Sequence, residues 1–264
     1  MINFQKKDAY TMEDLVQIMA ILRQPDGCPW DREQTHQSIR RNMLEEAYEA
    51  AEAIDQNDPE HLKEELGDVL FQVIFHSRLE EEAGRFDLND VVDGICKKLV
   101  FRHPHVFGSR DANDADQALV NWEAQKRIEK DQKTAADTLD AVARSLPALI
   151  RAEKIQNKAR KAGFDWSEIG PVLDKLSEEL YELKQAVREQ SNTEEELGDL
   201  LFATVKAGWF LGIDSELALH NACEKFIRRF RTTEELAGGV PMTQLPISQL
   251  EELWTQAKSA EQIS

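Results

Sequence analysis

The residues best placed for chemistry are acidic. Glu178-Glu179-Leu180-Tyr181-Glu182 is followed, fourteen residues after Glu182, by Glu196-Leu197-Gly198-Asp199. If both runs are helical, three- and four-residue spacings put Glu178, Glu179 and Glu182 on one strip and Glu196 and Asp199 on another. Two adjacent helices can then aim Glu179, Glu182, Glu196 and Asp199 at one point. Unit charges ~5 Å apart repel by roughly 3 kcal/mol per pair at an effective dielectric of about 20, so such a cluster requires a cation or bulk water. A donor set made only of hard oxygens favours Mg²⁺, with Mn²⁺ as a substitute, over zinc.

A glutamate-rich helix is usually just a solvated face, and one copy of the pattern would not distinguish the two. The first half of the chain repeats it: Glu45-Glu46-Ala47-Tyr48-Glu49 and then Glu65-Leu66-Gly67-Asp68, with the tyrosine and the glycine in the same places. Solvation has no reason to repeat both runs in order, whereas a duplicated site does. The expected metal ligands of the first copy are Glu46, Glu49, Glu65 and Asp68.

The elements that must carry these residues read as helices throughout. Charged residues make up 31%, with only 12 Gly and 8 Pro in 264 residues, and no run of alternating β-branched residues appears. That is an all-α composition. Thr11 with Asp14 forms a capping box for a first helix with Leu15, Ile18, Met19 and Leu22 on one face. Two prolines and a glycine make residues 25–31 a loop. The next helix, over about residues 38–54, turns Ile39, Met43, Ala47, Ala50 and Ile54 inward, and Asp58-Pro59 starts another whose inner face is Leu66, Val69, Leu70, Val73 and Ile74. In the second half, a helix through Arg151, Ile155 and Ala159 stops at Gly163. Ser191 or Thr193 caps the second acidic helix, which turns Leu197, Leu200, Leu201 and Val205 inward. Gly163-Phe164-Asp165-Trp166 echoes Gly27-Cys28-Pro29-Trp30 in its glycine and tryptophan. Two repeated helical-bundle domains are expected, over residues 1–108 and 146–264, with residues 109–145 as a polar linker containing one helix near Trp122.

Composition also excludes partners. A formal net charge of −18 argues against a sequence-independent grip on DNA or RNA, which needs a dense basic surface. No apolar run is long enough to span a membrane, and the amino terminus, Met1-Ile2-Asn3-Phe4-Gln5-Lys6, lacks the apolar core of a signal peptide, so a cytoplasmic location is expected. Cys28, Cys96 and Cys223 make no Cys-x-x-Cys pair. Cys96 and Cys223 occupy matching repeat positions and read as buried helix residues. A di-iron carboxylate bundle needs two Glu-x-x-His pairs, but only Glu33 with His36 occurs, in a loop-like stretch. No Gly-x-x-x-x-Gly-Lys run supports a P-loop. A non-enzymatic helical adaptor would account for acidity and repetition but not for the matched carboxylates.

Small phosphorylated ligands remain, because cations recur too. Lys225 and Arg229 repeat Lys98 and Arg102, four residues apart on one helical face, which suits triphosphate oxygens beside a metal. Lys175 stands one turn before Glu178, where the first half has Asn42, and Trp254 has no first-half counterpart.

Together these residues resemble the MazG nucleoside triphosphate pyrophosphohydrolases, of the all-α NTP pyrophosphatase superfamily. The family's Glu-x-x-Glu and Glu-x-x-Asp signature is met twice, and the likeness extends to Asp26-Gly27-Cys28-Pro29-Trp30-Asp31, to Arg102-His103-Pro104-His105-Val106-Phe107 and to Gly163-Phe164-Asp165-Trp166. The resemblance implies hydrolysis of nucleoside triphosphates to monophosphate and pyrophosphate, loose base preference, a homodimeric scaffold, and a second half that does most of the work. It implies Glu178, Glu179 and Glu182 as catalytic residues, Glu178 being the first candidate to accept a proton from water. It implies nucleotide contacts from Lys175, Glu178, Glu195, Asp199, Lys225, Arg229 and Trp254. The physiological nucleotide and any regulatory protein partner are not legible in the residues.

Overall fold

The computed structural model describes residues 4–261, and among them every regular element is helical. Met1, Ile2 and Asn3, on which the signal-peptide reading partly rests, lie outside the described residues. The chain divides into two compact units between Lys126 and Arg127, inside the stretch expected to be the linker.

The first unit contains α1 (Met12–Leu22), α2 (Pro29–Glu33), α3 (His36–Asp55), α4 (Pro59–Glu82), α5 (Leu88–Arg102), α6 (Pro104–Phe107) and most of α7 (Ala115–Glu129). Its starts are set locally. The Thr11 capping box opens α1, and Asp58 accepts from the Glu60 and His61 amides to open α4, with Pro59 at the first helical position. Residues 25–31 are not wholly loop, because Pro29 is pre-set for a helix start and α2 begins there. Glu33 therefore ends a helix and His36 opens the next. Gly27 is required where it stands: a Cβ there would run into the Ile21 and Leu22 carbonyl oxygens.

The core of this unit is Met19, Ile39, Ile74 and Phe75, with Leu15, Leu22 and Leu70 packed around it. Several expected inner residues are not inside. Met43, Ile54 and Leu66 are 39, 61 and 54% exposed, and Ala47 is exposed too, while Ile39, Ala50 and Ala53 are buried. The reason is that α3 and α4 pack chiefly on each other, so only a narrow stripe of each is covered within the unit. Cys96 on α5 and Cys223 in the second unit are likewise exposed, not buried as expected. They sit on helices whose other apolar residues, such as Val92, Phe101 and Phe226, are also uncovered.

α3 and α4 are joined at one end by a histidine pair. The His36 and His76 rings stack parallel, their Nδ1 atoms 2.7 Å apart, while His36 Nε2 meets Glu80 at 2.6 Å. Burial, and then His36, push the His76 pKa below its ordinary value. A histidine whose folded pKa is depressed stabilises the fold above its unfolded pKa of about 6.5, and that contribution is lost as pH falls. The urea midpoint is therefore expected to drop between pH 8 and pH 5, and His76→Gln should flatten that dependence. An equally steep profile in the variant would contradict the assignment.

The second unit continues with α8 (Ala135–Asp140), α9 (Ala148–Lys161), α10 (Ile169–Glu189), α11 (Thr193–Phe210), α12 (Ser215–Leu236) and α13 (Ile247–Glu261). α8 is a second helix in the stretch expected to hold one, opened by a Thr134 capping box. Gly163 ends the α9 turn at φ +90°, as a helix stop requires. α10 and α11 pair with each other, and α9 packs on α11. The cap of α11 is Asn192, not Ser191 or Thr193, and its amide instead donates to Glu195 and Glu196. Val205 is fully buried as expected, whereas Leu197 and Leu201 are about half exposed.

Candidate active site

In each half, two paired helices bring three carboxylates to one point. Oxygens of Glu179 from α10 and of Glu196 and Asp199 from α11 lie within 4.8 Å of one another. In the first half the trio is Glu46 and Glu49 from α3 with Glu65 from α4. The quartets read from the spacing are thus drawn together as trios with a different fourth member left outside, Glu182 in one half and Asp68 in the other. Both outliers remain electrically close. Burial first, and then Asp68, Glu49 and Glu65, raise the Glu46 pKa, while burial and then Glu179 raise that of Glu182. Each trio has one deeply buried member, Glu179 at 6% exposure and Glu65 at 7%.

The halves differ in how that buried carboxylate is balanced. Lys175 Nζ lies 2.8 Å from Glu178 and 2.7 Å from Glu179, and these bonds, Glu178 first, raise the lysine pKa. Asn42 holds that place in the first half. There His61 Nε2 lies 3.1 Å from Glu65 Oε1, while Glu65 Oε2 is buried with no hydrogen-bond partner. A buried carboxylate oxygen left without a donor is costly unless a cation meets it, so the first-half trio fits a hard cation such as Mg²⁺ on that ground, and the second-half trio fits it by its all-oxygen donors.

Lys225, Arg229 and Trp254 sit on α12 and α13, which pack on each other. Arg229 on α12 is engaged by Glu261 of α13 at 2.6 Å, and Trp254 of α13 packs on Phe226 with ring centroids 5.0 Å apart. Lys225 is exposed on α12, and Glu195 is exposed beside Asn192 on α11.

A cavity of about 660 Å³ opens beside the second trio, with Lys175, Glu179 and Asp199 in its wall. The rest of its lining is largely apolar, including Ile155, Phe164, Trp166, Val172 and Phe202. Gln156, Asp165 and Lys206 also line it, and sequence reasoning did not single them out as site residues. Lys206 is 7% exposed, paired with Asp165 at 2.5 Å, and lies 4.8 Å from the Trp209 ring centre. One signal was available: a lysine within the apolar stripe of α11 where α4 carries Phe75.

The MazG nucleotide pyrophosphohydrolase domain model matches residues 34–107 and 171–233, the two copies of the acidic pattern. The chain is 48% identical over 257 residues to the nucleoside triphosphate pyrophosphohydrolase of Escherichia coli K12, covering 95% of this chain and 98% of that one. It is 43% identical over 259 residues to the Thermotoga maritima nucleoside triphosphate pyrophosphohydrolase/pyrophosphatase MazG, covering 97% and 99%. It is 44% identical over 252 residues to the Bacillus subtilis protein YabN, 94% of this chain against 51% of that longer one.

Proposed function

Because the chain belongs to the MazG nucleotide pyrophosphohydrolase family and is a nucleoside triphosphate pyrophosphohydrolase, we propose that its second half uses Mg²⁺ to hydrolyse ribo- and deoxyribonucleoside triphosphates with little regard for the base. The reaction releases nucleoside monophosphate and pyrophosphate, a chemistry suited to control of the nucleotide pool. The observation that carries this reading is the trio of Glu179, Glu196 and Asp199 beside a cavity, with Lys175 bridged to the buried carboxylate.

Glu179, Glu196 and Asp199 would hold the ion, with Glu182 as the nearby fourth carboxylate. When bound, Mg²⁺ supplies positive charge to the phosphates and acidifies a water. Lys175 is the mobile cation of the site. Once the charge of Glu179 is offset, its ammonium can leave the carboxylates for phosphate oxygens. That frees Glu178, which can accept the proton of the water attacking the α-phosphorus as the bridging oxygen departs with pyrophosphate. Lys225, Arg229 and Trp254 stand as candidate contacts to the rest of the nucleotide, and Arg229 must give up Glu261 to serve. Half-exposed apolar residues on the acidic helices, such as Tyr181, Leu197 and Leu201, support a homodimer that covers them. Among the described residues no helix is long and apolar enough to cross a membrane, and cytoplasmic residence is part of the proposal.

The test is to quantify phosphate and pyrophosphate separately while screening all ribo- and deoxyribonucleoside triphosphates. Pyrophosphate equal to monophosphate is expected for every base, and Lys175→Ala should lower its release by roughly tenfold to a thousandfold, the range for a charge contact that strengthens in the transition state. Release of single phosphate, or an unimpaired Lys175 variant, would contradict the scheme.

A further inference from the structure

The two halves share a fold but differ at the interior position beside the trio. Ten residues after the first glutamate of Glu-Leu-Gly-Asp stands Phe75 in the first half and Lys206 in the second. Eight residues before the glycine of Gly-x-x-Trp stand Met19 and Ile155, and six before each Glu-Glu pair stand Ile39 and Val172. Phe75, Met19 and Ile39 are each no more than 2% exposed and form the packed core of the first half. Lys206, Ile155 and Val172 line the open cavity of the second. One set of positions is a plug in one copy and a slot wall in the other.

The slot has two polar features that packing alone does not explain. Gln156 Nε2 donates to the Phe202 carbonyl oxygen at 2.7 Å, which orients the amide and leaves Oε1 buried with no partner. Lys206 is nine-tenths buried in the wall, its ammonium paired with Asp165 and set 4.8 and 5.2 Å from the Trp209 and Phe210 ring centres, a buried cation where the first half has Phe75. A buried acceptor without a donor costs free energy that a bound N–H would recover. The volume of about 660 Å³ lies within the range of roughly 300–1,000 Å³ typical of small-molecule sites.

We propose that this slot receives the nucleobase, with Gln156 Oε1 accepting an N–H of the base edge and Lys206 donating to the ring nitrogen or carbonyl beside it. Adenine, guanine, cytosine and uracil all present an N–H next to an acceptor on the pairing edge, so one donor and one acceptor serve all four. Loose base preference follows from the slot. The phosphates then lie toward Glu179 and Asp199, which share its wall. Phe75 fills the corresponding place in the first half, which leaves that copy a carboxylate trio without a seat for a base. The inference rests on the pyrophosphohydrolase reading and adds the base site to it.

The experiment compares ATP with purine riboside triphosphate, whose base has no N–H on that edge, in the full-length protein. The wild type is expected to release pyrophosphate from both, with KM for the analogue raised about tenfold, within the discrimination reached when a polar site loses its partner. Gln156→Leu should raise KM for ATP by a similar factor at little cost in kcat, and leave KM for the analogue unchanged. Lys206→Phe, which copies the first-half plug, should raise KM for every nucleotide by tenfold or more while Mn²⁺ affinity, read by paramagnetic resonance, stays at the wild-type value. Equal effects of Gln156→Leu on both substrates, or a wild-type KM in folded Lys206→Phe, would overturn the proposal. If Lys206→Phe does not fold, the Gln156 comparison decides alone. Absence of pyrophosphate release by the wild type would refute the hydrolysis reading itself, a result separate from these.

Discussion

Glu179→Ala is expected to cut pyrophosphate release by at least ~10²- to 10³-fold, about 3 to 4 kcal/mol of transition-state stabilisation at 1.36 kcal/mol per decade. Glu179 is the buried member of its trio, and it is tied both to the prospective cation and to Lys175. Its loss removes a ligand and also releases Lys175 to a single partner. Asp199→Ala should fall in the same range. The matching changes in the first half, Glu46→Ala and Asp68→Ala, should leave most of the activity, because that copy has Asn42 for Lys175 and a packed core where the slot would be. Initial rates for the four purified variants, after circular dichroism shows each to be folded, decide the matter. Inactive Glu46 and Asp68 variants, or equal partial losses in both sets, would move catalysis out of the second half.

Chelation is expected to be as damaging. In excess EDTA, turnover should fall to background, and Mg²⁺ or Mn²⁺ should restore it, whereas Zn²⁺ should restore much less because the trios contain no histidine or cysteine. Without the ion, three carboxylate oxygens within 4.8 Å are offset chiefly by Lys175, and a triphosphate would bring further negative charge to the same place. Full activity in EDTA would remove the ion from the scheme. Mn²⁺ titration followed by paramagnetic resonance adds a readout independent of turnover: Glu179→Ala should weaken Mn²⁺ binding, while Lys175→Ala should retain it.

Local rules were enough to read the long helices, though not the short α2 and α8 or the cap of α11. Caps and stops at Thr11, Asp58, Pro59 and Gly163 depend on a few neighbouring backbone groups, so their side chains reveal them without knowledge of the rest of the fold. The carboxylate clusters were legible because three- and four-residue spacing survives from sequence to helix surface, and because the pattern occurs twice. By itself the sequence therefore determined an all-helical chain with two acidic clusters. Which three carboxylates converge was decided by how α3 packs on α4 and α10 on α11, which leaves Asp68 out of one trio and Glu182 out of the other. The same applies to exposure. Leu66 and Met43 belong to apolar stripes wider than the contact between their helices, and periodicity cannot tell which edge of a stripe is covered. The slot was least visible. Gln156, Asp165 and Lys206 come from α9, the turn after it and α11, and they share a wall only after those elements pack. A lysine in a helical stripe reads as a surface charge until tertiary packing buries it, sets it against Asp165 and Trp209, and keeps open a space that Phe75 fills in the other half.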